Sequence, residues 1–415
     1  MQGLTLPQIK EFYNRNETDD LEKLSYEMFT LGNCVNDSLV GVKNILMNNE
    51  YISGAMDITD LRKLYKAKEA IIIAGGWSID ENIEEIKRLS KNRLVISCDT
   101  GLRILNQHGI SPDFVTTLER VEECARLLKF ENEKGNETVF VSSMVVDSLV
   151  MEEMIKKKHY AFCRFKNNSV FDLSYKFGEL EQCNSSATMA LSLADFLGVE
   201  TVYLFGQDLC LSDNDKTHSQ GAEYGNEQPN CYKNLSLCLC NDGNYRKTNS
   251  IWKAFAFDIE RIRTNADSLK KIYNTNEKAM HLPGVSVIDA KTIKLIANGK
   301  PIVKPEHLNS VKLLRRKPNY TATINGLEYW IKKIDYTVVF TPGDVDEWNK
   351  YIKGSEWLKN LLQGLSLATY LIYDDREEYF YKMFNAVVSI LRVVKGVFEL
   401  NRVGIQNFDM GENHD

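Results

Sequence analysis

Apolar residues recur at helical spacing near the start of the chain (Leu21, Leu24, Met28, Leu31, then Leu39, Val42, Ile45, Leu46), with no strand-like alternation between them. The pattern predicts a helical N-terminal region over residues 1–64. From residue 70 to about residue 206 the texture changes to short β-rich apolar runs separated by helical stretches, as expected of successive βα units on a mainly parallel sheet. Strands are predicted at 70–74, 94–98, 114–118, 138–141, 160–163 and 201–205. Helices are predicted at 80–90, at 100–107 ending on Gly109, and at 121–130. Asn184 or Ser185 caps a further helix that runs to Leu197 and stops at Gly198, where a left-handed residue is expected. Six strands suffice for a doubly wound, Rossmann-like sheet.

Residues 207–250 are rich in Asn, Asp, Gly, Ser and Tyr and show little periodicity, the texture of a binding loop or lid. Helical texture returns over 252–273, and 285–288 reads as a last short strand. Pro301 and Pro305 mark a linker, so the α/β unit is assigned to 65–300. Long helical patterns at 357–373 and 379–400 make 301–403 a helical C-terminal domain, whose Tyr- and Leu-rich stripes suit core packing or a partner helix. Residues 404–415 read as a flexible polar tail.

Composition narrows the class. The chain has 415 residues, 43% of them hydrophobic, which is enough for two or three folded units. A net charge of −6, with both signs interspersed, argues against a nucleic-acid or anionic-membrane surface and favours a small ligand or a protein partner. The nine cysteines form no even framework and several sit inside apolar runs, which points to a reducing compartment. There is no basic segment followed by an apolar one at the start, nor a run of about 20 apolar residues. A cytoplasmic protein without membrane insertion is expected.

The strongest local chemical signal is Ile71-Ile72-Ile73-Ala74-Gly75-Gly76-Trp77-Ser78-Ile79-Asp80. A buried strand, two glycines and a hydroxyl lead into a helix start. Glycine lets backbone N–H groups approach a phosphate, and the helix N-terminus adds unsatisfied donors. Gly75, Gly76 and Ser78 are therefore candidate phosphate contacts. The same residues also satisfy a tight strand-to-helix turn in which Ser78 or Asp80 is only an N-cap. Asp99, Glu119 and Asp208 each fall just past a predicted strand end, and an open parallel sheet gathers such positions on its carboxyl edge, where ligands bind. Each taken singly also suits a helix or turn cap. His218 lies in a polar loop beyond Asp208, where an imidazole can act as general base toward a hydroxyl acceptor or simply sit on the surface. Cys231, Cys238 and Cys240 with His218 lack the paired spacing of a structural zinc site, so no metal is assigned there.

Gly76-Trp77-Ser78-Ile79-Asp80, Ser97-Cys98-Asp99-Thr100, Ile110-Ser111-Pro112-Asp113-Phe114-Val115-Thr116, residues 187–198, Leu204-Phe205-Gly206-Gln207-Asp208, Thr217-His218 and Tyr273-Asn274-Thr275 occur in that order. As a set they resemble the motility associated factor (Maf) flagellin glycosyltransferases, whose central domain is also described as similar to archaeal 6-hydroxymethylpterin diphosphokinase. The resemblance covers about residues 65–295. It implies a sialyltransferase-like fold and transfer of a nonulosonic acid, such as pseudaminic, legionaminic or a sialic-acid-like sugar, from a CMP-activated donor to Ser or Thr of flagellin. No resident cofactor or metal is implied, because CMP is a good leaving group that hydroxyl and backbone donors can stabilise. In that scheme Gly75, Gly76, Ser78, Asp99, Thr100 and Glu119 bind the nucleotide, Gln207, Thr217 and Asn274 contact substrate, and Asp208 and His218 are catalytic. The partners implied are the CMP-sugar and flagellin, with self-association through the C-terminal helices. The family loop usually reads G-x-G-P-S; here Ala74 replaces the first glycine and Trp77 the proline, and Glu119 stands where Asp is commoner. Two other readings are a pterin diphosphokinase that uses ATP and Mg2+, and a non-catalytic flagellin-binding protein.

Overall fold

A computed structural model describes residues 40–129, 137–157, 159–166, 178–222, 235–296 and 303–314, except 42, 46 and 304, with the isolated positions 325, 329, 350, 392 and 395. Most of the expected N-terminal helical region, nearly all of the C-terminal helical domain and the tail lie outside the described residues. The chain divides into two compact units, one of Met1–Glu50, Asn167–Tyr175 and Lys317–Asp415, the other of Tyr51–Lys166 and Lys176–Arg316. The second unit carries every element described below.

Its centre is a sheet of nine strands: β1 (Glu69–Ile73), β2 (Leu94–Cys98), β3 (Phe114–Thr117), β4 (Val139–Ser143), β5 (His159–Phe165), β6 (Glu179–Leu180), β7 (Thr201–Phe205), β10 (Lys271–Asn274) and β11 (Ser286–Val287). Their order is β11-β10-β7-β1-β2-β3-β4-β5-β6, and every pairing is parallel. A parallel sheet covered on both faces needs strands that are apolar throughout. Accordingly Ala70–Ile73 of β1 and the whole of β2 are buried. The side chains of Ile71, Ile73, Val95, Tyr203 and Phe205 join Ile79, Ile86 and Leu89 of the helix Ile79–Leu89 in one cluster. Tyr203 and Tyr273 are register partners on β7 and β10, and their rings stack with centroids 5.4 Å apart.

The helix Ser186–Phe196 contacts β1, β2, β3 and β6, and its residues from Thr188 to Asp195 are all buried. A helix enclosed on all sides loses its polar stripe, and this one reads Ser-Ala-Thr-Met-Ala-Leu-Ser-Leu-Ala-Asp-Phe. Ser185 accepts from the Thr188 N–H, and Thr188 Oγ1 returns a bond to the Ser185 N–H, closing a capping box. The expected stops at Gly109 and Gly198 are both left-handed, with φ of 66° and 88°.

The structure corrects three expectations. The helical texture of 252–273 is a helix only over Ser250–Asn265; residues 271–274 form β10. The segment read as irregular over 207–250 contains an antiparallel hairpin, β8 (Ser236–Leu239) with β9 (Tyr245–Thr248). The stretch 121–130 is a 3-10 helix, Glu122–Leu128. No helix among the described residues is long and apolar enough to cross a membrane.

Candidate functional site

The chain leaves β1 toward β2 on one side and returns to β7 on the other, so the carboxyl ends of β1 and β7 flank the point where strand order reverses. In open α/β sheets ligands bind at that crevice. Two loops meet there, 74–78 after β1 and 206–211 after β7. Ala74 N–H donates to Phe205 O and Gly76 N–H to Gly206 O, each at 2.9 Å. A Cβ on Gly76 would run into the Gly206 carbonyl and the Asp208 carboxylate. Gly76 is therefore required by the chain's own close approach.

Ser78 and Asp208 meet in this contact. The Ser78 N–H and hydroxyl both donate to the Asp208 carboxylate, at 2.9 and 2.6 Å, and Asn276 Nδ2 donates to it at 2.9 Å. Burial pushes the Asp208 carboxyl above its ordinary range, and the Ser78 and Asn276 donors offset part of that rise. Sequence reasoning assigned Ser78 to an incoming anion and Asp208 to catalysis. The structure instead buries both, 1% and 2% exposed, and has them bind each other. Ser78 stands at the N-cap position of Ile79–Leu89 but makes no side-chain cap bond, because its hydroxyl is committed to Asp208. Asn274 is likewise occupied: its Nδ2 donates to Gln207 O at 3.2 Å and its Oδ1 accepts from the Asn276 N–H at 2.9 Å. Gln207 and Asn274 are thus both buried, the Asn274 side chain tying the Gln207 carbonyl to the loop after Asn274. Trp77 is held in the same clamp, its Nε1 donating to Cys210 O at 3.0 Å.

The opposite wall of the loop carries different groups. Asp99 opens the helix Asp99–Gln107, and its carboxylate accepts from Thr100 N–H (2.8 Å), Thr117 Oγ1 (2.9 Å) and Ser186 Oγ (2.8 Å). It ties the ends of β2 and β3 to the start of the central helix. Burial again raises its pKa, against the Ser186, Thr117 and Thr100 donors. Thr100 Oγ1 lies 3.0 Å from Cys98 Sγ and faces Gly75, where an added Cβ would sit 2.7 Å from that hydroxyl. Gly75 therefore opens onto Thr100, and the His218 ring is its other neighbour.

Two features bring His218 there. Its backbone forms an antiparallel bridge with Gly76, and the Ser219 N–H donates to Gly75 O at 3.1 Å. Asp80 then anchors the turn, accepting from Ser219 Oγ and from the Gln220 N–H. Thr217 Oγ1 lies 2.9 Å from His218 Nδ1 and fixes one edge of the ring. Burial lowers the His218 pKa, so the imidazole is neutral at pH 7 and able to accept a proton. Glu119 sits exposed on the loop after β3. The acidic trio thus separates into two buried clamps and one surface carboxylate.

Sequence reading missed Thr117, Ser186 and Asn276, all of which act by binding a carboxylate already singled out. Their signal was available in kind: Thr117 ends a strand and Ser186 opens a helix, where polar residues in apolar surroundings need partners. Removing Asp99 leaves three buried donors without an acceptor. Asp99→Ala is expected to cost roughly 1–3 kcal/mol, read as a lower urea midpoint; an unchanged midpoint would mean that the cluster does not hold β2, β3 and the central helix together.

Comparison with known proteins agrees with this architecture. Residues 43–214 match the family model described as 6-hydroxymethylpterin diphosphokinase MptE-like. Among solved structures, that of the MAf glycosyltransferase from Magnetospirillum magneticum AMB-1 aligns with a TM-score of 0.61 at 17% identity, over 90% of this chain and 61% of that one. The present chain thus spans less than two thirds of that protein, and what the two share is the fold. No curated protein matches the sequence. The resemblance read from the sequence is met to that extent: residues 43–214 match the MptE-like model, and the α/β fold is shared with a MAf glycosyltransferase.

Proposed function

We propose that the chain is a glycosyltransferase that moves a nonulosonic acid from a CMP-activated donor to Ser or Thr hydroxyls of flagellin. The observation that carries this reading is the pairing at Gly75: a neutral, half-buried imidazole on one side and the Thr100 hydroxyl on the other, at the crevice where strand order reverses. Gly75 and Thr100 receive the CMP phosphate, with the start of the Asp99–Gln107 helix behind them. His218 takes the proton from the acceptor hydroxyl as its oxygen attacks the anomeric carbon, and CMP leaves with the bonding pair. Asp99 and Asp208 act by positioning, the first holding Thr100 and the second holding the glycine loop. The fold shared with a MAf glycosyltransferase supports the assignment.

The match of residues 43–214 favours a second reading, diphosphate transfer from ATP to a pterin with Mg2+. Its metal finds a poor fit here. Asp99 and Asp208 are each turned onto three protein donors, and no group of three or more His, Cys, Asp or Glu among the described residues has the arrangement to hold a metal. Calorimetric titration of the full chain with CMP, CDP, ATP and a pterin separates the two. Binding of CMP that survives EDTA, together with transfer of the CMP-linked sugar to flagellin, is expected. Preference for ATP, lost on chelation, would decide for the pterin kinase. Binding of flagellin without either nucleotide would decide for a non-catalytic role.

A further inference from the structure

Three of the seven cysteines among the described residues converge from distant parts of the chain. Cys210 lies in the loop after β7, Cys238 in β8, and Cys240 directly beyond it. Side chains two apart on a strand share a face. Cys238 and Cys240 accordingly point inward, while Leu237 and Leu239 are 64% and 43% exposed. Cys210 Sγ and Cys240 Sγ are 4.0 Å apart, about 2 Å beyond a disulfide bond. The backbone around them is mutually fastened. Leu211 N–H donates to Lys247 O of the hairpin at 2.8 Å, Met280 N–H donates to Asp208 O at 2.9 Å, and Cys240 bridges Met280.

We propose that Cys210 and Cys240 form a reversible disulfide that fastens the β8–β9 hairpin to the loop carrying Asp208, with a low-molecular-weight disulfide of the glutathione type as oxidant. The Cys240 thiolate attacks one sulfur of the oxidant, making a mixed disulfide and releasing one small thiolate. The Cys210 thiolate then attacks the Cys240 sulfur of that mixed disulfide, closing the intrachain bond and releasing the second. The two protein thiols are oxidised, one small disulfide is reduced to two thiols, and the two protons leave with them.

Cys238 assists as a positioning residue. Its hydrogen bond with Cys210 holds its pKa down at about 7 despite burial, with Lys253 also favouring the charge. Burial raises the Cys240 thiol in turn, and the bond with Cys238 raises the Cys210 thiol, so Cys238 is the member of the cluster whose charged form is favoured beside the Cys210 proton that must leave. The oxidant reaches Cys240 by local opening of the β8–β9 hairpin, whose two strands pair only with each other. The site controls more than the hairpin. Cys210 O accepts from Trp77, and Asp208, two residues earlier, holds Ser78, so the bond constrains the loop beside Gly75.

The test incubates the full chain with oxidised glutathione, traps remaining thiols by alkylation, and maps peptides before and after dithiothreitol. A Cys210–Cys240 crosslink with loss of two titratable thiols, both restored by dithiothreitol, is expected. Cys240→Ser and Cys210→Ser each lose the crosslink, whereas Cys238→Ser still forms it but more slowly, with the slowing largest near neutral pH. Cys240 is as buried as Cys210, so thermal unfolding of each serine variant is recorded beside the crosslink, and a folded Cys240→Ser keeps the test informative if Cys210→Ser fails to fold. Full retention of both thiols, a bond from Cys238 instead, or a glutathione adduct that never resolves overturns the proposal.

Discussion

Replacing His218 with glutamine is expected to leave CMP binding intact and to lower the rate of sugar transfer by roughly 10²–10⁴-fold, the usual contribution of a positioned general base. Glutamine can still meet Thr217 and fill the space beside Gly75, but it cannot accept a proton, so the variant isolates chemistry from packing. The pH profile provides the second readout. Burial depresses the His218 pKa below the 6.5 of a free histidine, so the native imidazole remains neutral where a free histidine has already protonated. Wild-type kcat/KM should stay level from pH 8 down past about 6.5 and fall only below it. That acid limb should vanish in His218→Gln. Stability carries the same sign. The unfolded chain takes up the proton near 6.5 and the native chain only at lower pH, so the native state loses stability as pH falls through that interval. Equal turnover in variant and wild type would remove His218 from the mechanism, whereas weakened CMP binding would make it a ligand contact.

The sheet was legible because a parallel strand buried on both faces writes its own signature. Ile71-Ile72-Ile73 and Val95-Ile96 cannot lie on a surface, and the helices between them are punctuated by Gly109 and Gly198. Strand β10 was not legible for an equally physical reason. Ile259, Ile262, Leu269, Ile272 and Tyr273 keep an apolar texture across the helix end, and the chain turns where the Asp195 carboxylate accepts from the Asp267, Ser268 and Leu269 N–H groups. That acceptor lies on a helix more than seventy residues away, and no local pattern contains it. The site divides along the same line. Position along the chain is enough to put Asp99, Thr100 and Asp208 on the carboxyl edge, because they follow strands. It cannot say whether a carboxylate faces a ligand or a protein donor, which depends on Ser78, Asn276, Thr117 and Ser186 arriving from other elements.

Gly75 and Gly76 look interchangeable in the sequence, and their alanine variants are expected to fail in opposite ways. In Gly76→Ala the new methyl meets the Gly206 carbonyl and the Asp208 carboxylate. Neither can swing aside. The carbonyl accepts the Gly76 N–H, and the carboxylate is fixed by Ser78 and Asn276. Overpacking against backbone is at the costly end of its range, so a loss of about 3 kcal/mol or more is expected, seen as a large fall in the denaturation midpoint. In Gly75→Ala the methyl meets Thr100 Oγ1 at 2.7 Å and the His218 ring at 3.4 Å. Side chains can yield, and the expected cost is about 1 kcal/mol. The methyl now occupies the space between the two groups proposed to receive phosphate and acceptor, so CMP binding should be lost from a protein that still folds. Thr100→Ala added to Gly75→Ala removes the closer contact but keeps Thr100 Cβ at 3.0 Å, so it should relieve part of the crowding and recover part of the stability without recovering binding. A stable Gly76→Ala would dissolve the clamp between the two loops, and normal CMP affinity in Gly75→Ala would move the nucleotide away from this loop altogether.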